Sequence, residues 1–244
     1  GGRTGRSLKL GVPSKGRRRE KTFDWFGKHG ITLRRTGAER EYAGAVEGID
    51  HVSLVLLSAA EIPRELATGR IHLGVTGVDL IQEKLPDWMR QVRSLAPLGF
   101  GHADLILAVP NCWIDVETLD DLDAVAAQFR AHHGFRLRIA TMYHRLVLAD
   151  LSRHGVADYQ LVDSQGATEG TVANLTAEAI ADITSTGETL RANHLKVLKG
   201  KPVLRSQATL FAARKAPWDD QTRATLKALG AALGQDVTDG VFHD

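Results

Sequence analysis

The sequence has a single cysteine, Cys112, and no long apolar run. One cysteine cannot form an internal disulfide, which excludes the disulfide-stabilised secreted domains. The longest apolar stretch, Val52 to Ala60, includes two serines and is about half of the ~18 residues that a membrane span requires. The arginines near the N-terminus are not followed by the apolar run of a secretory signal. We therefore expect a cytoplasmic protein without a membrane partner.

A surplus of charge of one sign is also absent. The chain has 31 Lys and Arg against 29 Asp and Glu, a formal net charge of +2. Such a balance gives no support for a nucleic-acid partner. Aromatic residues make up only 6%, while 43% hydrophobic and 25% charged residues are typical of a globular chain. Any anion site must therefore come from a local cluster of groups.

Several nucleotide-binding and catalytic motifs are missing. No Gly-x-x-x-x-Gly-Lys-Ser/Thr loop, no Gly-x-Gly-x-x-Gly after a strand and no Gly-x-Ser-x-Gly elbow occurs. The ten histidines are scattered, and the adjacent pair His132 and His133 lacks the i, i+4 spacing of a zinc site. We interpret the histidines as surface residues and predict no metal-ligand set. Cys112 has no cationic neighbour that would activate its thiol.

Short apolar runs alternate with helical patterns along the chain. Strands are predicted over residues 8–12, 51–57, 71–75, 104–109, 137–140, 159–162, 179–184, 195–198 and 206–212. Helices are predicted to end at Gly30, Gly134 and Gly234, since glycine favours the end of a helix. This alternation predicts an α/β fold with mostly parallel sheets.

The domain arrangement follows from two changes in the pattern. Gly99-Phe100-Gly101 separates a first set of strand and helix units from a second, and a return crossing is predicted near 187–195. We expect two lobes, residues 1–100 with 190–244 and residues 101–189. The cleft between such lobes is the expected ligand site.

A run of hydroxyl residues follows the predicted strand that ends near Asp182. The segment reads Asp182-Ile183-Thr184-Ser185-Thr186-Gly187-Glu188-Thr189-Leu190. Glycine permits a positive φ, successive amides can surround an anion, and hydroxyls add hydrogen bonds, so a phosphate monoester would fit. An ordinary hydroxyl-rich turn with Thr189 as the helix N-cap explains the same residues.

Two further turns carry candidate groups. Lys15, Arg17, Arg18 and Arg19 follow the first strand, where a basic loop would suit a polyphosphate and a solvated basic helix start is the alternative. Gly74 to Asp79 is a glycine-bracketed turn in which Asp79 could cap a helix or hold a ligand hydroxyl or a metal, and capping is the expected role. We infer that several such strand ends converge on one anionic ligand.

Taken together, the motifs resemble those of the ATP phosphoribosyltransferase family from Leu8 to about Arg214. The matching segments are the strand with Lys-Gly-Arg at Leu8–Arg17, Ile62–Gly77, Phe100–Pro110, Arg138–Tyr143 and the phosphoribosyl-diphosphate loop at Asp182–Leu195. The resemblance implies a two-lobed fold similar to type II periplasmic binding proteins, with a central cleft. It also implies Mg²⁺-dependent transfer of phosphoribosyl from phosphoribosyl diphosphate (PRPP) to N1 of ATP, the first step of histidine biosynthesis.

The resemblance implies roles for particular residues. Arg17, Lys15 and Arg40 are expected to be catalytic by holding pyrophosphate, and ATP is expected to contact Gly77, Thr141 and Tyr143. The expected PRPP-binding residues are Asp182, Thr184, Ser185, Thr186, Gly187, Glu188, Thr189 and Glu169. The reaction needs no side-chain nucleophile, because orienting the substrates and stabilising the departing charge suffice.

The sequence departs from the family pattern at some positions. The loop Gly166–Val172 lacks the usual Ala-Pro, and His72 stands where an aspartate is common. The length resembles the short form of the family, which implies a homodimer and a separate regulatory subunit related to histidyl-tRNA synthetase. The stripe of Leu226, Leu229 and Leu233 could face that partner or pack on its own lobe.

Two other functions are compatible with the same motifs. A non-catalytic ligand-binding module of the same two-lobed fold is the alternative from another class. A phosphoribosyltransferase that acts on a different nucleophile is the narrower one.

Overall fold

The computed structural model describes residues 5–37, 43–164, 168–173, 175–238 and 240–242. Its strands are β1 Leu8–Pro13, β2 Thr32–Arg35, β3 Ala43–Glu47, β4 Val52–Leu57, β5 Leu73–Gly77, β6 Val92–Pro97, β7 Ala103–Pro110, β8 Leu137–Thr141, β9 Tyr159–Asp163, β10 Ala179–Thr184, β11 Leu195–Val197, β12 Leu204–Ser206 and β13 Ala208–Ala213. Its α-helices are α1 Gly16–Lys28, α2 Ile62–Thr68, α3 Val78–Lys84, α4 Trp88–Gln91, α5 Leu119–His133, α6 His144–Arg153, α7 Glu188–Ala192 and α8 Asp220–Leu233, and a 3₁₀ turn covers Thr168–Gly170.

The chain forms two compact units, which are Gly1–Gly101 with Gln207–Asp244 and His102–Ser206. The second crossing therefore lies after Ser206, later in the chain than the predicted boundary at 190. The reason is strand pairing, since β11 and β12 both pair with β7 and belong to the sheet of the second unit.

The first unit has a seven-stranded sheet in the order β2-β3-β4-β1-β5-β13-β6. Strand β1 lies centrally and pairs in parallel with β4 and β5. Leu8, Leu10 and Val12 of β1 join a core cluster that includes Phe26 of α1 and Leu226 of α8. The leucine stripe of α8 thus packs on its own unit, because Leu226 and Leu229 are buried in that cluster and Leu233 packs against it.

The second unit has the strand order β11-β7-β10-β8-β9, with β12 also on β7. Strand β8 pairs in parallel with β9 and β10, whereas β7 runs antiparallel to its neighbours. A core cluster on this sheet joins Leu105, Ile139 and Ala181 with Leu122 of α5 and Val147 of α6. The two parallel pairings place the ends of β8, β9 and β10 at the same edge of the sheet.

The prediction of mostly parallel sheets is wrong, since both sheets are mixed. Strands β2, β3 and β4 pair antiparallel between neighbours, and β13 is antiparallel to β5 and β6. The link between β3 and β4 spans only residues 48–51, too few for the helical crossover that parallel neighbours need.

Two predicted helix ends, at Gly134 and Gly234, are confirmed, whereas α1 ends at Lys28 with His29 as its C-cap and Gly30 follows at φ of 78°. Helix α5 begins with a capping box between Thr118 and Asp121, and α8 begins with one between Asp219 and Thr222. Gly134 and Gly234 end these helices with φ of 75°. Among the residues described, no helix is long and apolar enough to cross a membrane.

The interpretation of the histidines as surface residues is wrong for His72. Its ring is only 1% exposed, Nδ1 accepts a hydrogen bond from the Lys9 N–H at 3.0 Å, and Nε2 lies 3.2 Å from the Pro217 carbonyl oxygen. Both contacts are satisfied by a neutral ring that carries its proton on Nε2. Burial lowers the pKa of His72 below its usual value, against a smaller raising effect of the Pro217 carbonyl.

Candidate active site

The turn after β10 has the conformation that its glycine and hydroxyl residues predict. Gly187 has φ of 73°, a conformation that glycine adopts readily because glycine lacks a Cβ. The Gly187 N–H donates to Thr184 Oγ1 at 3.0 Å, and the Glu188 N–H donates to Thr186 Oγ1 at 3.3 Å. Arg191 Nη1 donates to the Thr186 carbonyl at 3.0 Å. These hydrogen bonds fix the conformation of the turn.

The same turn leaves donors free at its outer side. Ser185 and Thr186 are exposed, and their backbone N–H groups have no acceptor among the described residues. Thr189 is also exposed, but it is not the helix N-cap, because Gly187 takes that position and α7 begins at Glu188. Two amides and several hydroxyls can therefore donate to one anion at this turn.

The 3₁₀ turn that contains Glu169 packs against β10, the strand that carries Asp182, although 13 positions separate the two residues in the sequence. Asp182 Oδ1 accepts a hydrogen bond from the Ile183 N–H at 2.8 Å. Burial raises the pKa of Asp182 to about 6, with a smaller contribution from the Glu169 charge. A ligand that donates hydroxyl groups to these carboxylates would satisfy both.

The turn between β8 and α6 is built on a buried hydroxyl. Thr141 is fully buried, and its Oγ1 accepts a hydrogen bond from the Tyr143 N–H at 2.9 Å. The Tyr143 ring is 8% exposed and packs in the core cluster of the second unit, whereas Met142 is 63% exposed. Tyr143 is predicted to contact ATP, whereas the exposed side chain of this turn is that of Met142.

In the first unit the carboxyl ends of three parallel strands are neighbours. The strands β4, β1 and β5 end at Leu57, Pro13 and Gly77. Gly77 is the N-cap of α3, and Asp79 lies in the first turn of that helix, so Asp79 is not the capping residue. Thr76, one position earlier, is 3% exposed, and its hydroxyl has no hydrogen-bond partner among the described residues.

The basic segment after β1 begins α1. Lys15 is the N-cap residue, and Lys15, Arg17 and Arg18 are exposed. The first turn of α1 contains no acidic residue, so three cations stand at the positive end of the helix dipole. Arg19 differs, because its Nη1 donates to the Ser14 carbonyl at 3.1 Å. Arg40 lies outside the described residues.

Each unit thus gathers some of the predicted residues. The second unit brings the Thr184–Thr189 turn, Asp182 and Glu169 together, and the first unit sets Lys15 and Arg17 at the sheet edge where β5 ends in Gly77. The described residues contain no cluster of three or more His, Cys, Asp or Glu side chains that could hold a metal ion.

Comparison with known families gives a match over most of the chain. The family model described as "HisG: ATP phosphoribosyltransferase" matches residues 58–234. An ATP phosphoribosyltransferase of Cereibacter sphaeroides is 72% identical over 93% of this chain and 96% of its own length. One from Rhodopseudomonas palustris is 50% identical over 96% of this chain and 72% of its own length.

Among solved structures, the fold is similar to a chain of the ATP phosphoribosyl transferase (HisG:HisZ) complex from Thermotoga maritima. The TM-score is 0.68 at 20% identity, over 93% of this chain and 96% of that chain. At this identity the likeness bears on the fold alone.

Proposed function

The chain belongs to the ATP phosphoribosyltransferase family, which catalyses the first step of histidine biosynthesis, and we propose how its residues bind the two substrates. In this reaction N1 of ATP attacks C1 of PRPP and pyrophosphate leaves, giving phosphoribosyl-ATP. The protein must orient the two substrates and stabilise the charge that develops on the leaving pyrophosphate.

The 5-phosphate of PRPP is assigned to the turn formed by Thr184, Ser185, Thr186, Gly187, Glu188 and Thr189. The observation that carries this assignment is the turn itself, in which Gly187 has φ of 73° and the N–H groups of Ser185 and Thr186 lack an acceptor among the described residues. Asp182 and Glu169 are assigned to the ribose hydroxyls. Their mutual repulsion would be relieved by hydroxyl donors.

Pyrophosphate is assigned to Arg17 and Lys15, with Arg40 as a third cation. The exposed cations at the start of α1 support this role, because a bound polyphosphate would offset their repulsion with the helix dipole. ATP is assigned to the turns at Gly77 and Thr141. Tyr143 would support the second of these turns through its backbone, since its ring is in the core.

Mg²⁺ is proposed as the cofactor, bound largely through the phosphate oxygens of PRPP. The cation commonly binds with one or two carboxylates, substrate phosphates and water rather than in an all-protein cage. That mode suits a chain whose described part offers no group of three or more metal-ligating side chains.

A cytoplasmic location and a separate regulatory subunit are also proposed. The similarity to a chain of the HisG:HisZ complex from Thermotoga maritima supports the subunit. Co-purification of this chain with a protein related to histidyl-tRNA synthetase, from the same genome, would support the assembly. If this chain is fully active and remains a homodimer when that protein is present, the proposed assembly is contradicted.

The phosphate assignment is tested by Thr186→Val, with PRPP, ATP and Mg²⁺ and with phosphoribosyl-ATP followed by near-ultraviolet absorbance. We expect the KM for PRPP to rise about tenfold, because a hydrogen bond to a charged phosphate is worth ~1.5–3 kcal/mol. The control is Thr32→Val, which changes an exposed threonine of β2. An unchanged KM for PRPP would remove Thr186 from the phosphate site, and no product from the wild type would favour a non-catalytic binding module.

A further inference from the structure

An ion pair with several hydrogen bonds joins Arg138 of β8 to Glu178, outside the assigned substrate contacts of the second unit. The guanidinium donates from Nε and Nη2 to both Glu178 carboxylate oxygens at 2.9–3.1 Å. The Arg138 N–H donates to Glu178 Oε2 at 3.0 Å, and the Glu178 N–H donates back to the Arg138 carbonyl at 3.0 Å. The side chains are 30% and 12% exposed, so the pair is better shielded than an ordinary surface ion pair.

Arg138 also holds the loop that precedes Glu178. Its Nη2 donates to the Leu175 carbonyl at 3.2 Å. Leu175 has φ of 59°, a conformation that costs a leucine energy, and its side chain is 80% exposed. The strained backbone conformation of Leu175 is therefore not offset by burial of its side chain. A structure that retains such strain at an exposed residue is a reason to look for a functional constraint.

From Leu175 a series of hydrogen bonds runs back to the turn that carries Glu169. The Leu175 N–H donates to the Val172 carbonyl, and the Thr176 N–H and hydroxyl both donate to the Thr171 carbonyl at 2.9 Å. The Thr171 hydroxyl donates to the Thr168 carbonyl at 2.7 Å. The Thr168 hydroxyl, which is buried, donates to Ser164 Oγ at 2.7 Å. Glu169 follows Thr168 directly, so this series fixes its position.

We propose that Arg138, through Glu178 and the Leu175 carbonyl, is the positioning residue that sets Glu169 beside Asp182 for the ribose of PRPP. The inference rests on the proposed role of Glu169. Arg138 itself contacts no substrate in this proposal. Its side chain joins strand β8 to the loop that carries Glu169. Strand β8 pairs with β10, which carries Asp182, so the ion pair fixes Glu169 relative to Asp182.

The test compares Arg138→Gln, Arg138→Lys and Glu178→Gln with the matched control Arg130→Gln. Arg130 also pairs with a carboxylate of the second unit, Asp158 at 2.8 Å, but it has no bond to the described residues of the 168–178 loop. We expect Arg138→Gln and Glu178→Gln to raise the KM for PRPP about tenfold with kcat and the KM for ATP little changed. Arg138→Lys should recover part of this loss, and Arg130→Gln should change none of these constants.

A double variant decides whether Arg138 acts through Glu169. If it does, Arg138→Gln has little further effect in a Glu169→Gln background, because the effects of coupled residues are not additive. Full additivity, or a loss of thermal stability in Arg138→Gln with an unchanged KM for PRPP, would overturn the positioning role. If Glu169→Gln leaves the KM for PRPP unchanged, the proposed ribose contact fails and the positioning role fails with it. If Glu169→Gln raises that KM and neither Arg138→Gln nor Arg138→Lys does, only the positioning role fails.

Discussion

Arg17 and Arg18 are adjacent exposed cations in the first turn of α1, yet only Arg17 belongs to the assigned pyrophosphate site. We expect Arg17→Ala to lower kcat about 10²–10³-fold, since loss of one donor to a developing negative charge costs ~3–4 kcal/mol. The same direction is expected for Arg40→Ala. Steady-state kinetics at saturating PRPP and ATP measure the effect.

The matched control for this prediction is Arg18→Ala. It removes the same charge from the same helical turn. If the cations act only by a general attraction of the anionic substrate, both variants should lower kcat to a similar extent. Equal losses in Arg17→Ala and Arg18→Ala would contradict a specific role of Arg17. Near-normal kcat in Arg17→Ala, with unchanged circular dichroism, would remove it from the catalytic residues.

Single residues were predicted unevenly from the sequence. The positive φ of Gly187 follows from residue type, because glycine is the residue for which that conformation costs least. The burial of His72 could not be predicted, because it depends on the neighbours of β5, the strand that His72 directly precedes. Strand β5 lies between β1 and β13, and a central strand is buried on both faces. The packing of the Tyr143 ring could not be predicted either, because it depends on where α6 begins. The Arg138–Glu178 pair could not be predicted because its two residues are 40 positions apart in the sequence.

At the scale of elements, the capping box of α8 offers a prediction about stability. Asp219 Oδ1 accepts from the Thr222 N–H at 2.8 Å, and its Oδ2 accepts from the Arg6 N–H at 3.1 Å. We expect Asp219→Ala to lower the free energy of unfolding by about 1–2 kcal/mol, because the helix loses its cap and the N-terminal segment loses a bond. Denaturant unfolding at pH 7 gives this quantity.

The control variant is Asp220→Ala, which removes an acidic residue from the first turn of the same helix but leaves the capping box. A loss of a few tenths of a kcal/mol is expected for it, from the helix dipole alone. If both variants unfold with the same free energy, the capping box of α8 contributes nothing measurable.

Elements with a continuous apolar run or a clear cap were predictable, and edge strands were not. Strand β2 reads Thr-Leu-Arg-Arg and lies at one edge of its sheet, and β6 lies at the other. An edge strand has solvent on one face and one side, so it needs few apolar residues and gives a weak sequence signal. Some antiparallel pairings were missed because they include β2, β3, β6 or β12, strands that were not predicted. Others join predicted strands, such as β7 with β10 and β5 with β13, because a strand pattern does not determine the direction of its neighbour.

At the scale of the whole molecule, the buried His72 and the partly buried Asp182 give opposite pH dependence to the two units. In the first unit burial lowers the pKa of His72, so the unfolded chain binds more protons than the folded one just below pH 6.5. Acidification through that range costs stability. In the second unit the pKa of Asp182 is raised from 3.8 to about 6, so the folded chain binds more protons between about pH 4 and 6. Acidification through that range adds stability.

Variants of the two groups separate these contributions between pH 7 and 5. The pKa values of Asp121, Asp219 and Asp236 are lowered by hydrogen bonds to backbone N–H groups, so their contributions change below pH 3.8 and not in this range. Asp182→Asn should therefore lose more free energy of unfolding on acidification from pH 7 to 5 than the wild type, by at most about 1.4 kcal/mol per pH unit for one proton. His72→Asn should lose less than the wild type. Each variant is compared with itself at the two pH values, so that any destabilisation by the substitution that does not depend on pH cancels. If the free energy of unfolding changes equally with pH in the wild type and both variants, neither group titrates as its burial requires.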